Sequence, residues 1–351
     1  MRELLLKLCR REDLTRDEAR AAFEELTSGK ASDAQIGGLL VGLASKGTTV
    51  EELVGAASVL REKAIQIPLD EAERKNLVDT CGTGGDVRGT FNISTAAAII
   101  AASAGARVVK HGNRPASGRC GSADVLEHLG VRIDCGPAGL RQCLRETGIC
   151  FAYARKHHPV LRHVANARAS LAIPTIFNII APLLNPAQTR RQVIGVFAPE
   201  LTDRLATVLR ELGSELAWVV HGDDGMDELS TVASSRVTSL QNGHIRSWKV
   251  DPKDLGLAYA RLSDLQVGDV AGAAAALTAA IAGTDAPKRD IALLNAAAAL
   301  VAAGVCADLK AGLERARSAV EAGEPQRTLT ALVRVSQQAG PEGEDPPAGR
   351  P

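Results

Sequence analysis

The segment from Asp79 to Ala106, DTCGTGGDVRGTFNISTAAAIIAASAGA, sets four glycines within eight residues ahead of a long run of small residues. With no Cβ in the way, the backbone amides of such a loop can approach a phosphate closely. The helix expected to open at Asn92-Ile93-Ser94-Thr95 adds free N–H groups and the positive end of its dipole. Hydroxyls of Thr90, Ser94 and Thr95 are further donors. The loop lacks the GK[ST] ending of a P-loop and the GxGxxG spacing of a dinucleotide site, which disfavours both of those chemistries. Asp86 does not suit a pure anion site, because a carboxylate beside phosphates binds a ribose hydroxyl or a metal. A tight structural turn is the competing reading, and phosphate binding is the stronger of the two.

Three more stretches carry reactive residue types. KHGNRPASGRCGSADVLEHLG, Lys110–Gly130, follows a strand and combines Lys110, His111, Arg114 and Arg119 with the amide of Asn113. Its interleaved glycines favour a second anion-binding loop over a solvated charge run. In AWVVHGDDGMDELS, carboxylates gather at Asp223, Asp224, Asp227 and Glu228 after a strand. They suit Mg²⁺, which keeps much of its water and bridges to substrate phosphate; a solvated turn capping the next helix is the alternative. His221 reads as a packing or hydrogen-bonding residue and His128 as a surface one. Arg168, in a helix-like stretch, is either a surface residue or a clamp for a carboxylate.

Elements must position these residues. Residues 1–66 read as helical, with capping boxes at Thr15–Glu18, Ser32–Gln35 and Thr49–Glu52 and helix stops at Gly29 and Gly47. Small residues on DAQIGGLLVGLASKG suit packing on another helix, within this chain or from a second subunit. Beyond Pro68, strand and helix patterns alternate: NLVDT, a helix over Ser94–Ala106, RVVKHG, and on towards residue 221. This is the rhythm of a parallel sheet. VTSLQNGHIRSWKV reads as a hairpin turning at Asn242-Gly243, and the C-terminal part reads as helical. The fold class is therefore α/β: a small all-helical domain, residues 1–66 joined by helices from about 165–190, and a larger α/β domain, 67–337, with a mostly parallel central sheet flanked by helices. Residues 338–351, rich in Pro, Gly and charge, read as a disordered tail.

Composition narrows the partners. Formal net charge is zero and aromatic residues are 3%, which argues against nucleic-acid binding. Seven cysteines without a CxxC pair fit neither a disulfide framework nor a zinc site. No signal peptide or membrane span is read, so a cytoplasmic protein is expected.

The motifs GTGGD…TFNIST, KHGNR…S…GSADVLE.LG, HP…V…R, TIFN…PL.NPA and VVHG.DG.DE resemble those of the anthranilate phosphoribosyltransferase family in order and spacing. The similarity covers about residues 3–335. It implies transfer of the phosphoribosyl group of 5-phosphoribosyl diphosphate to the amine of anthranilate, the second step of tryptophan synthesis from chorismate. It also implies the nucleoside phosphorylase/phosphoribosyltransferase fold, a homodimer through the helical domain, and Mg²⁺, two ions per subunit. By position, the resemblance puts Gly82, Gly85, Asp86, Thr90, Asn92, Ile93, Ser94 and Thr95 at the donor. Lys110, His111, Gly112, Asn113, Arg114, Pro115, Ala116, Ser117, Gly118 and Ser122 close around the same ligand. Ser94, Asp227 and Glu228 match metal positions, and Gly82, Asn113 and Arg168 match positions touching anthranilate. No dedicated catalytic base is expected, because an arylamine is neutral and nucleophilic at pH 7.

The chain departs from the family pattern at Pro174, where Arg is usual, at Ala181, where Gly is usual, and at Val87, where a third Gly is common. Pro174 and Ala181 motivate one alternative, a paralogue with another amine or a nucleobase as acceptor. A non-catalytic relative that binds nucleic acid is another, opposed by the zero net charge and the carboxylates at Asp227 and Glu228.

Overall fold

The computed structural model describes residues 1–114 and 120–339. Pro115, Ala116, Ser117, Gly118 and Arg119, and the expected tail from residue 340 onward, lie outside the described residues.

The N-terminal part is four helices: α1 (Arg2–Cys9), α2 (Arg16–Thr27), α3 (Asp33–Lys46) and α4 (Val50–Glu62). The starts of α2, α3 and α4 are fixed by the three expected capping boxes, each contributing on the order of 1 kcal/mol. Glu52 does more than cap. Fully buried, it accepts from Leu14 N at 2.9 Å, from Thr49 N at 2.8 Å and from Lys46 Nζ at 2.8 Å. The apolar faces of these helices share one core with Val164, Ala167, Ile176, Phe177 and Ile180, from the helices Arg162–Leu171 and Ile176–Ile180.

The larger part is built on a seven-stranded sheet: β1 (Leu77–Asp79), β2 (Arg107–Gly112), β3 (Ile149–Tyr153), β4 (Arg191–Gly195), β5 (Leu216–Gly222), β6 (Ser235–Gln241) and β7 (His244–Val250). Their order is β3-β2-β1-β4-β5-β6-β7; the first five are parallel, and β6 and β7 are antiparallel. Asn242 and Gly243, both at positive φ (52° and 81°), turn the β6–β7 hairpin as its Asn-Gly pair predicts. Alternate residues feed two cores. Val193, Trp218 and Val220 pack with the Ile93–Ser103 and Ala286–Ala302 helices, while Ile194, Ala217 and Val219 face the core shared with α2–α4.

Two boundaries differ from the sequence reading. The helix after the glycine loop spans Ile93–Ser103 and stops short of Ala106, because Gly105 turns the chain into β2 with φ 104°. The last helix, Glu324–Gln338, runs one residue beyond the expected boundary at 337.

The chain runs β1, β2, β3 outward and then returns to place β4 on the other side of β1. That reversal opens a crevice at the carboxyl ends of β1 and β4, the place where open α/β sheets hold ligands.

Candidate active site

Gly82 begins the loop after β1 and lies against Gly195 at the end of β4; a Cβ on Gly82 would stand 2.9 Å from Gly195 O. The Thr83 N–H donates to the same oxygen at 2.8 Å, and Thr83 Oγ1 accepts from Phe197 N at 3.2 Å. These bonds staple the near limb of the loop across the crevice. The far limb is held by Phe91 N to Leu265 O (2.9 Å) and Val267 N to Gly89 O (2.9 Å). Between them, Gly84 and Gly85 take left-handed conformations, φ 63° and 86°, and both are exposed. Thr90 pairs with Gln266 as an isolated bridge.

The helix end after the loop corrects an expectation. Its first amides are not free for a ligand. Ile93 N donates to Phe91 O, Thr95 N to Asn92 O, and Ser94 N to Glu228 Oε1 at 3.1 Å. The dipole at this terminus therefore holds a carboxylate of the protein itself. Ile93 is buried in the core, so its side chain does not line the crevice. Asn92 Oδ1 and Thr95 Oγ1 are buried without a hydrogen-bond partner.

Lys110, from β2, reaches the same point. Its Nζ donates to Thr80 O and Thr80 Oγ1, both at 3.3 Å, and to Ser94 Oγ at 3.2 Å. On the other side stand Asp86, Asp227 and Glu228; Asp227 N donates to Asp86 Oδ2 at 3.4 Å. Burial first, then Asp86 and Glu228, push the Asp227 carboxyl well above its usual range. Glu228 is pushed up to about 7 by burial and by Asp86, with Lys110 acting in the opposite direction. Asp227 and Glu228, raised in this way beside Asp86, fit a divalent cation, which would reverse the shift. Among the described residues, no three or more His, Cys, Asp or Glu side chains form a complete metal-ligand group.

Other expected residues are placed as follows. Gly112 admits no side chain, since a Cβ there would lie 2.5 Å from Ser122 Oγ and 2.6 Å from Phe151 Cε2. Asn113 is exposed, and its Oδ1 accepts from Arg114 N at 2.9 Å. Arg114 pairs with Asp124 and, at 2.7 Å, with Glu127. His111 is buried, edge-on to His158 with ring centroids 5.4 Å apart. Burial, then His158 and His157, hold it well below the usual imidazole range. It is thus a neutral wall residue. Arg168 lies over the Phe177 ring at 4.6 Å and makes no ion pair among the described residues. His221 Nδ1 meets Val196 O at 2.7 Å, the hydrogen-bonding role expected of it, and His128 is exposed. Of the other acids in the third stretch, Asp223 binds Lys249 at 2.7 Å, and Asp224 Oδ2 accepts from Ser230 Oγ at 2.9 Å.

Sequence reasoning overlooked Asp79 and Gly195. Asp79 Oδ1 accepts from Cys81 N and His111 N, both at 3.1 Å, joining the glycine loop to β2. A carboxylate closing an apolar strand, just ahead of the loop, was the available signal. At Gly195, a Cβ would fall 1.5 Å from Asp227 O.

Comparisons with known proteins agree with this arrangement. Residues 2–64 match the helical bundle domain of a glycosyl transferase family, and residues 74–326 match its a/b domain. Fold and site thus define a glycosyl transferase of this two-part class. Among curated relatives, the anthranilate phosphoribosyltransferase of Methylobacterium nodulans is 48% identical over 92% of this chain and 95% of its own. That of Azorhizobium caulinodans is 44% identical over 97% of this chain and 98% of its own. Among solved structures, the Thermus thermophilus anthranilate phosphoribosyltransferase superposes with TM-score 0.88 at 37% identity, covering 95% of this chain and 99% of that one. The Saccharomyces cerevisiae enzyme, solved in complex with PRPP and Mg, shares the fold with TM-score 0.81 at 23% identity, over 92% of each chain. The chain belongs to the anthranilate phosphoribosyltransferase family.

Proposed function

We propose that the protein transfers the phosphoribosyl group of 5-phosphoribosyl diphosphate to the amine of anthranilate, giving N-(5-phospho-β-D-ribosyl)anthranilate and pyrophosphate. This is the second step of tryptophan synthesis from chorismate. The observation that carries the reading is the convergence on Ser94 of the glycine loop, Lys110 and Glu228, beside Asp86 and Asp227. Such a site is built to hold a polyanion through a cation.

In the reaction, the bond from ribosyl C1 to the diphosphate oxygen breaks, the bond from C1 to the amine nitrogen forms, and the amine loses a proton. Positive charge develops at C1 and negative charge on the leaving diphosphate. Mg²⁺, two ions per subunit, would be held by Ser94, Asp227 and Glu228 and would neutralise the leaving group. Lys110 adds a fixed positive charge beside Ser94, and the loop around Gly82, Gly85 and Thr90 shapes the donor site. Asp86, Asn92, Thr95, Gly112, Asn113, Arg114 and Ser122 complete it. Neutral His111 serves as wall rather than base, and positioning does the work of a base. Arg168 and Asn113 orient the acceptor, with Arg168 pairing its carboxylate. Partial burial lowers the guanidinium's pKa, and among the described residues no acid pairs with it.

The proposal extends to assembly and location. Leu6 on α1 and Val41 on α3 are exposed apolar residues, which supports a homodimer through the helical domain. A cytoplasmic site accords with seven free cysteines.

The test is to incubate the protein with 5-phosphoribosyl diphosphate, Mg²⁺ and anthranilate and to follow the loss of anthranilate fluorescence. Turnover is expected. A folded protein that consumes the donor only with another amine or a nucleobase would overturn the acceptor assignment.

A further inference from the structure

We propose that Arg88, a loop residue to which the family resemblance gives no role, is a direct ligand of the donor's diphosphate. This rests on the phosphoribosyl transfer reading above. Arg88 stands on the far limb of the glycine loop, where its backbone is fixed on both sides. Its N–H donates to Asp86 Oδ1 at 3.0 Å, and its carbonyl accepts from Gln266 Nε2 at 2.9 Å. The guanidinium lies on Gly225, in the turn leading to Asp227 and Glu228. A Cβ on Gly225 would stand 2.2 Å from Arg88 Nη2, so the glycine leaves room for the guanidinium where it lies.

The guanidinium is half-buried, and its Nε is shut off from solvent with no hydrogen-bond partner. It makes no ion pair among the described residues. The acids on the same turn are engaged elsewhere: Asp223 with Lys249, and Asp224 with Met226 N and Ser230 Oγ. A cation so fixed and so lacking in partners, beside a cluster of phosphate-directed groups, calls for an anion from outside the chain. The planar fork of a guanidinium matches the paired oxygens of a diphosphate. Lys110 and Arg88 would then reach the donor from separate elements, one from β2 and one from the far limb of the glycine loop.

The experiment compares wild type, Arg88→Lys and Arg88→Ala by steady-state kinetics and by calorimetric binding of Mg²⁺-pyrophosphate, with melting curves for each. For Arg88→Ala, the KM for 5-phosphoribosyl diphosphate should rise on the order of tenfold, and pyrophosphate affinity should fall by a similar factor. The KM for anthranilate should stay within about twofold, and Arg88→Lys should fall between the two. Unchanged donor KM and pyrophosphate affinity would overturn the proposal. So would equal losses for both substrates accompanied by a lower melting temperature, which would mark Arg88 as a support for the turn. Wild type that binds pyrophosphate through Arg88 but does not turn over anthranilate would fail the functional reading and leave this one standing.

Discussion

Glu228 and Ser94, which are 134 residues apart, meet through a hydrogen bond from Ser94 N–H to Glu228 Oε1 at 3.1 Å. The bond puts a metal-directed carboxylate on the positive end of the Ile93–Ser103 helix and brings the Ser94 hydroxyl, 3.2 Å from Lys110 Nζ, into the same group. The two residues proposed to hold Mg²⁺ are thus in direct contact with each other.

Glu228→Gln separates the two roles of that side chain. The amide oxygen can still accept from Ser94, but the negative charge is gone. The Mg²⁺ concentration for half-maximal rate should rise on the order of tenfold, with a lower kcat at saturating metal. An unchanged Mg²⁺ titration would remove Glu228 from the metal site.

Arg168→Ala should raise the KM for anthranilate about tenfold to a hundredfold and leave the donor KM within about twofold, since a charge-assisted pair is lost on one substrate only. Arg168→Lys keeps the charge but loses the guanidinium that lies over Phe177 at 4.6 Å, and should fall between the two. Parallel losses for both substrates would deny Arg168 the acceptor role.

Val87 is 96% exposed and sits at φ 54°, a left-handed conformation that a β-branched residue resists. Val87→Gly should stabilise the protein by about 1 kcal/mol in denaturant unfolding, because the strain removed exceeds the entropy that glycine adds. A loss of stability would show that the loop does not hold this conformation in solution.

Local rules made much of this legible. The capping boxes at Thr15, Ser32 and Thr49, the Asn242-Gly243 turn and the strand RVVKHG depend on near neighbours in the chain, and each lies where its pattern indicates. The hidden parts depend on distant partners. Free amides at Ile93–Thr95 were expected from the helix start; Phe91 O and Asn92 O take two of them locally, and Glu228, far along the chain, takes the third. The ion pairs of Arg114 with Asp124 and Glu127, on the next helix, are likewise not visible in its run of basic residues. Lys110 is the opposite case: read at the end of a strand, it lies in β2 with its Nζ 3.2 Å from Ser94 Oγ.

Asp79 offers a test in pH. Burial pushes its carboxyl up from 3.8 to about 6, against the pull of Asn185 and Lys110. A carboxyl raised on folding holds its proton more tightly in the folded chain. Its stabilising contribution is therefore complete below about pH 4, the unfolded value, and is lost as pH rises through about 6. Asp79→Asn can still accept from Cys81 and His111 through Oδ1 but does not titrate. Between pH 4 and 7, the stability of wild type should fall relative to the variant by roughly 3 kcal/mol. Unfolding free energies that run parallel across this range would exclude the buried titration.

Gly195 links backbone sterics to chemistry most directly. A Cβ there would lie 1.5 Å from Asp227 O and 2.5 Å from its carbonyl carbon. Both are main-chain atoms and cannot rotate aside, so Gly195→Ala must shift the Asp227-Glu228 segment bodily. A displacement on the order of 1 Å in a positioning site costs about a hundredfold in rate. Gly268, where a Cβ meets nothing within 4 Å, is the matched control, and Gly268→Ala should keep wild-type kinetics. Gly195→Ala should retain its circular dichroism spectrum while kcat falls about a hundredfold and the Mg²⁺ requirement rises. If its rate and Mg²⁺ dependence matched those of Gly268→Ala, the approach of β4 to Asp227 would not be what fixes the carboxylate pair.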